Sequence, residues 1–305
     1  MDSYLTFIAG SDIDYFYEVE NFLGKGDACL TKVIDTKVGG CVLNAASVCQ
    51  GLGSKSYVLD YLKENDEGTK LIVDKLNSNG VDTSHIKYDK DATNGTCLIM
   101  CKGDEKCIYV IEPNRPFFKE DEKLKELLFN SKYIYSLMHT LKLSFESLDI
   151  LKQAKSHGTK IIFDGGSQYL DLSDRDILLE YADGIFMNKT SFERLKGVCD
   201  IDPLKYMFNR GLEFACITDG SRGTDLYLKD CLLHEEALKV EVVDSTGAGD
   251  SFAGAFMHFL NKGCSYEDCL KYASTVGAYA CTGLGGMSGI ISENDLFEFM
   301  KKTSN

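Results

Sequence analysis

The chain has 305 residues, 44% apolar and 26% charged, with 47 acidic against 33 basic side chains and a net charge of −14. That composition supplies a sizeable core and does not fit a disordered chain; the acidic excess opposes general binding to a nucleic-acid backbone but leaves a local phosphate site open. No window reaches the roughly 18 uninterrupted apolar residues of a membrane helix, and residues 1–14 lack the basic stretch and apolar run of a secretory leader, so a cytoplasmic protein with no membrane association is expected.

In chain order, a strand is predicted over residues 4–9, then an irregular acidic stretch over 11–37. Val42, Ala45, Ala46 and Cys49 share one stripe of a helix that Gly51 or Gly53 ends. A second helix is predicted over 68–79, with Leu71, Ile72 and Leu76 as its buried face. Residues 95–112 form two apolar runs around Lys102-Gly103-Asp104, a hairpin signal. From residue 120 the pattern is regular: helix 120–129, strand 133–137, helix 144–157, strand 160–164, a helical stretch, strand 184–187, helix 203–209 and strand 214–218. Strands recurring every 25–30 residues with helices between them predict a mostly parallel sheet covered on both faces. The segments within about 11–38 and 95–115 are expected to form a small lid on this single domain. The 12 cysteines form no CxxC pair and read as small core residues in a reducing compartment, with neither a disulfide framework nor a metal site.

Residues 240–263 carry the most information. A β-rich run, 240–244, is followed by Ser245-Thr246-Gly247-Ala248-Gly249-Asp250. Phe252, Ala255, Phe256, Phe259 and Leu260 then fall on one helical face, with Gly263 as the stop. The first N–H groups of a helix have no internal partner and carry partial positive charge. Small residues there let an anion approach the backbone. Such donors suit a phosphoryl group in transfer, and a carboxylate beside them can take the proton of an attacking hydroxyl.

The string from Asp244 through Asp250 resembles the C-terminal signature of the ribokinase/PfkB carbohydrate kinase family, and the resemblance extends over nearly the whole chain. It implies a Rossmann-like three-layer α/β/α fold with a small β-sheet lid. It implies an ATP-dependent carbohydrate kinase with Asp250 as catalytic base and Gly247, Ala248 and Gly249 as the anion hole. Asp244 and Thr246 would help hold an activating monovalent cation such as K+. Gly39, Gly40 and Asn44 resemble the family's N-terminal signature against the substrate hydroxyls. Asp12 and Asp14 compete for the position where relatives place a sugar-binding Asp. Thr218, Gly220, Ser221 and Gly223 resemble the nucleotide loop, and Gly285 belongs to a glycine stretch near the adenine pocket and the cation. His139, following strand 133–137, is a candidate for the substrate pocket. Asn188 matches the Asn of the family's Asn-x-x-Glu motif, but Ser191 stands where the Mg²⁺-ordering Glu is expected; Mg²⁺ use remains expected because ATP brings it. Glu64 stands where relatives have a glycine.

No P-loop pattern is present, and Gly283-Leu284-Gly285-Gly286 follows a helical run (272–280), not a strand, which excludes a dinucleotide fingerprint. With Cys41 after Gly39-Gly40 in place of a cation, a neutral or acidic sugar is favoured over a sugar phosphate. A nucleoside acceptor is the alternative, and a catalytically weak sugar sensor on the same fold is the third reading. A homodimer through the lid edges is expected.

Overall fold

The computed structural model describes residues 3–8, 10–103, 105–166, 179–198 and 201–303. The predicted end of the first strand at Ala9, the turn residue Asp104 and most of the helical stretch between 164 and 184 lie outside them.

The large sheet is built from β1 (Tyr4–Ile8), β4 (Lys55–Leu59), β9 (Tyr133–Leu137), β10 (Lys160–Asp164), β11 (Gly184–Asn188), β12 (Phe214–Thr218), β13 (Thr224–Leu228) and β14 (Leu232–Glu235). Its order is β14-β13-β12-β11-β10-β9-β1-β4. The six strands from β12 to β4 run parallel, and β13 and β14 close one edge antiparallel. Strands buried on both faces read as unbroken apolar runs, as in the fully buried YIYSL of β9.

Helices cover both faces. One layer holds α1 (Cys41–Gly51), α2 (Glu67–Ser78), α8 (Ala248–Lys262), α9 (Tyr266–Ala280) and α10 (Glu293–Thr303). The other holds α3 (Glu122–Phe129), α4 (Met138–Ser144), α5 (Asp149–Ser156), α6 (Lys189–Val198) and α7 (Pro203–Phe208). Helices α1 and α8 meet closely: a Cβ on Gly254 would lie 2.4 Å from the Ala45 carbonyl oxygen. Both the smallness of Gly254 and the alanine stripe of α1 are therefore packing requirements of the pair that carries the site.

The segments expected to form the lid make a second, smaller sheet, β3-β2-β7-β8, of β2 (Asp12–Glu18), β3 (Val33–Gly39), β7 (Gly95–Lys102) and β8 (Glu105–Ile111); it is called the lid sheet below. The hairpin β7–β8 stands where it is predicted. Of residues 11–37, expected to be irregular, 19–32 carry no strand or helix, whereas the two ends supply β2 and most of β3. A further pair, β5 (Tyr61–Lys63) and β6 (Lys87–Asp89), lies beside α2. There the left-handed turn falls on Asn65 (φ 55°), next to Glu64, and Asp66 caps α2 by accepting from the Thr69 N–H at 3.1 Å.

Three other expectations are corrected. Leu71 is 50% exposed, whereas Ile72 and Leu76 are fully buried; the stripe is one position narrower than its apolar content. Residues 144–157 are not one helix, because residues 145–148 are non-helical and separate α4 from α5. Residues 240–244 form no strand. Their β-branched side chains have no neighbouring ladder, Val242 and Val243 are 64% and 59% exposed, and the Val243 N–H bonds to the Cys281 carbonyl at 2.8 Å.

Candidate active site

Parallel strands deliver their C-terminal ends to one edge of the sheet, where α/β folds bind ligands. Gly10 follows β1 there, and Asp164, Asn188 and Thr218 end β10, β11 and β12. The start of α8 and the lid close the same edge.

The turn into α8 is set by Gly247, in the left-handed region at φ 77°, where a Cβ would lie 2.1 Å from the Gly286 carbonyl oxygen. Only glycine satisfies both conditions. The first helical bond runs from the Ser251 N–H to the Gly247 carbonyl at 2.8 Å. The Gly249 and Asp250 N–H groups meet no backbone acceptor among the described residues, whereas the Ala248 N–H reaches the Ser245 carbonyl at 3.3 Å. A Cβ on Gly249 would meet nothing within 4 Å. The open side of the turn thus faces space, and of the three expected anion-hole amides one is already weakly engaged.

Asp250 lies in the first turn of α8, partly open to the cleft. Asn44, inside α1, donates from Nδ2 to Asp250 Oδ2 at 2.7 Å, and its own Oδ1 is buried without a partner among the described residues. Burial raises the Asp250 pKa, the Asn44 hydrogen bond opposes that rise, and the Asp14 carboxylate adds to it. Gly40, at φ 103°, lets the chain enter α1 against Gly10, whose carbonyl oxygen a Cβ would meet at 1.9 Å. Gly39 leaves room for Asp14, whose Oδ2 would lie 2.2 Å from a Cβ there.

Asp12 and Asp14, two apart on β2, share one face of the lid sheet. Asp14 is near enough to act electrostatically on Asp250, and Asp12 lines a cleft of about 420 Å³ with Glu112, Arg115 and His139. Burial pushes Asp12 up to about 7; Arg115 opposes this, while Asp14 and Asp60 reinforce it. Arg115 is fixed by the fully buried Asp60 (Nε to Oδ1, 3.2 Å) and by the Ser11 carbonyl at 3.1 Å. His139 bonds through Nε2 to Glu112. The sequence reading singled out neither Arg115 nor Asp164. The Asp164 carboxyl is pushed up to about 7 by burial and by Asp250, and it accepts from the Tyr135 hydroxyl at 3.1 Å. Its signal was present: an acidic residue closing an apolar strand at the ligand edge.

These directions give a pH prediction. A base works only when deprotonated, so the acid limb of kcat/KM should lie above the ordinary carboxylate range. Replacing Asn44 with Leu removes the bond that favours the charged form, so that limb should move to higher pH; Asp14→Asn should move it lower. Unchanged limbs in both variants would count against Asp250 as the titrating base.

On the neighbouring side, Asn188 Oδ1 accepts from the Ser191 N–H at 2.7 Å and so caps α6, while the Ser191 hydroxyl is buried without a partner among the described residues. Glu193 does not replace the missing Glu: its carboxylate pairs with Lys196 at 3.0 Å and Lys189 at 3.4 Å. Thr218 ends β12, and Gly220 and Ser221 lie in a short 3-10 turn (Gly220–Arg222). Asp219 holds Arg222 through two hydrogen bonds, 2.8 and 2.6 Å. Gly223, at φ 88°, packs that turn against β14, where a Cβ would lie 2.2 Å from the Glu235 carbonyl oxygen. Lys189, Arg194 and Arg222, not foreseen from the sequence, line a depression of about 500 Å³ here together with Glu193 and Asp219.

The expected ligands of a monovalent cation do not fit that role in this arrangement. Asp244 Oδ1 accepts from the Thr246 N–H (3.0 Å), the Thr246 hydroxyl (2.7 Å) and the Lys106 ammonium (3.2 Å), and Oδ2 accepts from the Gly285 N–H at 3.1 Å. Lys106 also donates to Thr246 Oγ1 at 2.9 Å. Burial pushes the Asp244 carboxyl up, but the hydrogen bonds from Thr246, Lys106 and Gly285 outweigh it and hold the carboxyl down to about 2. Gly285 thus serves the Asp244 loop.

The profile of the pfkB family carbohydrate kinases matches residues 5–293. A ribokinase from Arabidopsis thaliana is 24% identical over 97% of this chain and 81% of its own length. A nucleoside kinase from Methanocaldococcus jannaschii is 22% identical over 98% of this chain and 97% of its own. The solved structure of Arabidopsis thaliana ribokinase complexed with ribose and ATP superposes with a TM-score of 0.84 at 21% identity, covering 99% of both chains.

Proposed function

Because the chain belongs to the pfkB family of carbohydrate kinases, we propose that it transfers the γ-phosphoryl group of ATP to a hydroxyl of a small neutral sugar, with Asp250 as general base. The observation that carries this reading is the Asp250 carboxylate, tied to Asn44 at 2.7 Å, beside helix-start amides that no backbone acceptor claims. In this reading the acceptor hydroxyl lies between Asn44, Asp14 and Asp250. The buried, unpartnered Asn44 Oδ1 accepts from a neighbouring substrate hydroxyl. Asp250 takes the proton as the bond to phosphorus forms. Gly247, Ala248 and Gly249 meet the transferring oxygens, with Gly249 the least obstructed of the three. ATP extends past Asn188 and Thr218 towards the Gly220–Gly223 turn, over Lys189 and Arg222. Mg²⁺ arrives with the nucleotide. No cluster of three metal-ligating side chains occurs among the described residues, so phosphate oxygens and water would supply most of its ligands.

Asp12, Asp14, Asp164 and Asp250 make the acceptor side acidic. Carboxylates accept from hydroxyls and repel a substrate phosphate, which supports a neutral polyol over a sugar phosphate. The nucleoside alternative draws on Phe117, 51% exposed at the mouth of the cleft, where a base could stack. ADP release measured over a panel of sugars and nucleosides tests the proposal. A sugar-dependent signal is expected. A signal from nucleosides alone would transfer the assignment to them, and tight sugar binding without turnover would mark a sensor.

Both outer strands of the lid expose apolar side chains, Ile108–Ile111 on β8 and Val33 and Ile34 on β3, which supports a homodimer through the lid. A solution mass near twice 33.9 kDa is expected; a monomer at working concentration would remove this reading. The cysteines of the described residues are unpaired, which supports a reducing, cytoplasmic setting, and no helix among the described residues is long and apolar enough to cross a membrane.

A further inference from the structure

We propose that Lys106, carried by the lid, supplies the positive charge on the Asp244–Thr246 loop, so that closing the lid completes the anion hole and the enzyme needs no monovalent cation. The inference rests on the phosphotransfer reading of the same site.

Lys106 is the second residue of β8, on the outer strand of the lid, and 138 residues separate it from Asp244. Its ammonium reaches the body and bonds Asp244 Oδ1 and Thr246 Oγ1 together. Those are the two oxygens a cation would otherwise draw in. Asp244 is only 14% exposed, and each of its oxygens already has a donor. A second cation would have to displace either the lysine or the Thr246 and Gly285 donors. The ammonium carries the same single charge as an alkali ion, and two of its three protons are used here.

The consequence follows from chain distance. Thr246 immediately precedes Gly247, whose left-handed turn points the open amides of α8. Asp244 also holds Gly285, and Gly286 packs against Gly247. One ammonium therefore braces both loops that shape the anion hole. Because it arrives on the lid, the brace is present only when the lid is down. A bound acceptor that draws the lid shut through Asp12 and Asp14 would complete the hole, and an empty site would leave it unbraced, which limits transfer to water. Lys106 is in this sense a positioning residue. The plainer reading is a partly exposed ion pair of little consequence, since such pairs contribute about 0–1 kcal/mol.

Potassium separates the two. The full-length protein and Lys106→Met are assayed in KCl and in tetramethylammonium chloride at equal ionic strength, and their melting temperatures are recorded in both salts. The parent should turn over at the same rate in either salt. Lys106→Met should lose about tenfold or more without potassium, as expected for weakening a transition-state donor, and should recover most of that loss in KCl. Its melting temperature should rise in KCl and not in tetramethylammonium, because an ion that binds only the folded state stabilises it, whereas the parent's should not respond. Potassium activation of the parent would overturn the proposal, as would a Lys106→Met enzyme with parental rates in both salts. If no acceptor is turned over at all, the phosphotransfer reading fails separately. The melting temperatures then decide whether Lys106 occupies a cation position: a potassium-selective rise confined to the variant supports it, and its absence overturns it.

Discussion

Asp250→Asn is expected to lower kcat by about 10²- to 10⁴-fold, the span a general base contributes, while ATP binding stays near that of the parent. The amide keeps the shape of the carboxylate but cannot take a proton. Loss of fold can be told apart from loss of chemistry by sign. The Asp250 pKa is raised in the folded protein, so its ionised form costs stability at pH values above its unfolded pKa, and a neutral isostere removes that cost. The variant should therefore melt no lower than the parent at pH 8. A variant with near-parental turnover would contradict the assigned role, and an inactive variant that also melts much lower would leave stability as the cause.

A matched pair at the turn should show the second large effect. Gly247→Ala forces a side chain into the left-handed region and against the Gly286 carbonyl oxygen at 2.1 Å. It should lose stability by about 1–3 kcal/mol from strain alone and lose kcat by about 10²- to 10³-fold, the scale of one misplaced oxyanion donor. Gly249→Ala has no such clash. Its methyl group points into the space assigned to the phosphoryl oxygens, so it should melt like the parent and still lose activity, with the loss in kcat exceeding any rise in KM for ATP. Equal activity of Gly249→Ala and the parent would mean that the phosphoryl group does not use this turn.

How much of this was legible in the sequence depended on how local the cause was. Strands β9, β10 and β12 were delimited by their apolar runs, because a parallel strand buried on both faces needs nothing else. The hairpin β7–β8 was visible from Lys102-Gly103, and α8 from its phenylalanine stripe and from Gly247 and Gly263 at its ends. Strand β2 was not visible. Asp12 and Asp14 break its apolar pattern because they face a cleft, and its parallel partner β7 begins 83 residues after it, pairing Asp12 with Gly95. The run at 240–244 misled for the opposite reason: β-branched residues were present and no strand lay alongside. The string from Asp244 through Asp250, Asn44 after the glycine pair, and Asp12 and Asp14 as competing candidates were recoverable from short motifs and a family resemblance; the hydrogen bond between Asn44 and Asp250 was not. The brace on Asp244 was not, because Lys106 comes from the far side of the molecule and no local pattern marks one lysine among the 33 basic residues.

The central claim is a carboxylate and a set of helix-start amides converging on one phosphoryl group. A crystal structure with ADP, aluminium fluoride and a sugar acceptor would test it most directly. The fluoride group is expected at the amides of Gly249 and Asp250, with the acceptor hydroxyl hydrogen-bonded to the Asp250 carboxylate. A fluoride group bound away from that turn, or an acceptor whose hydroxyls do not reach Asp250, would contradict it.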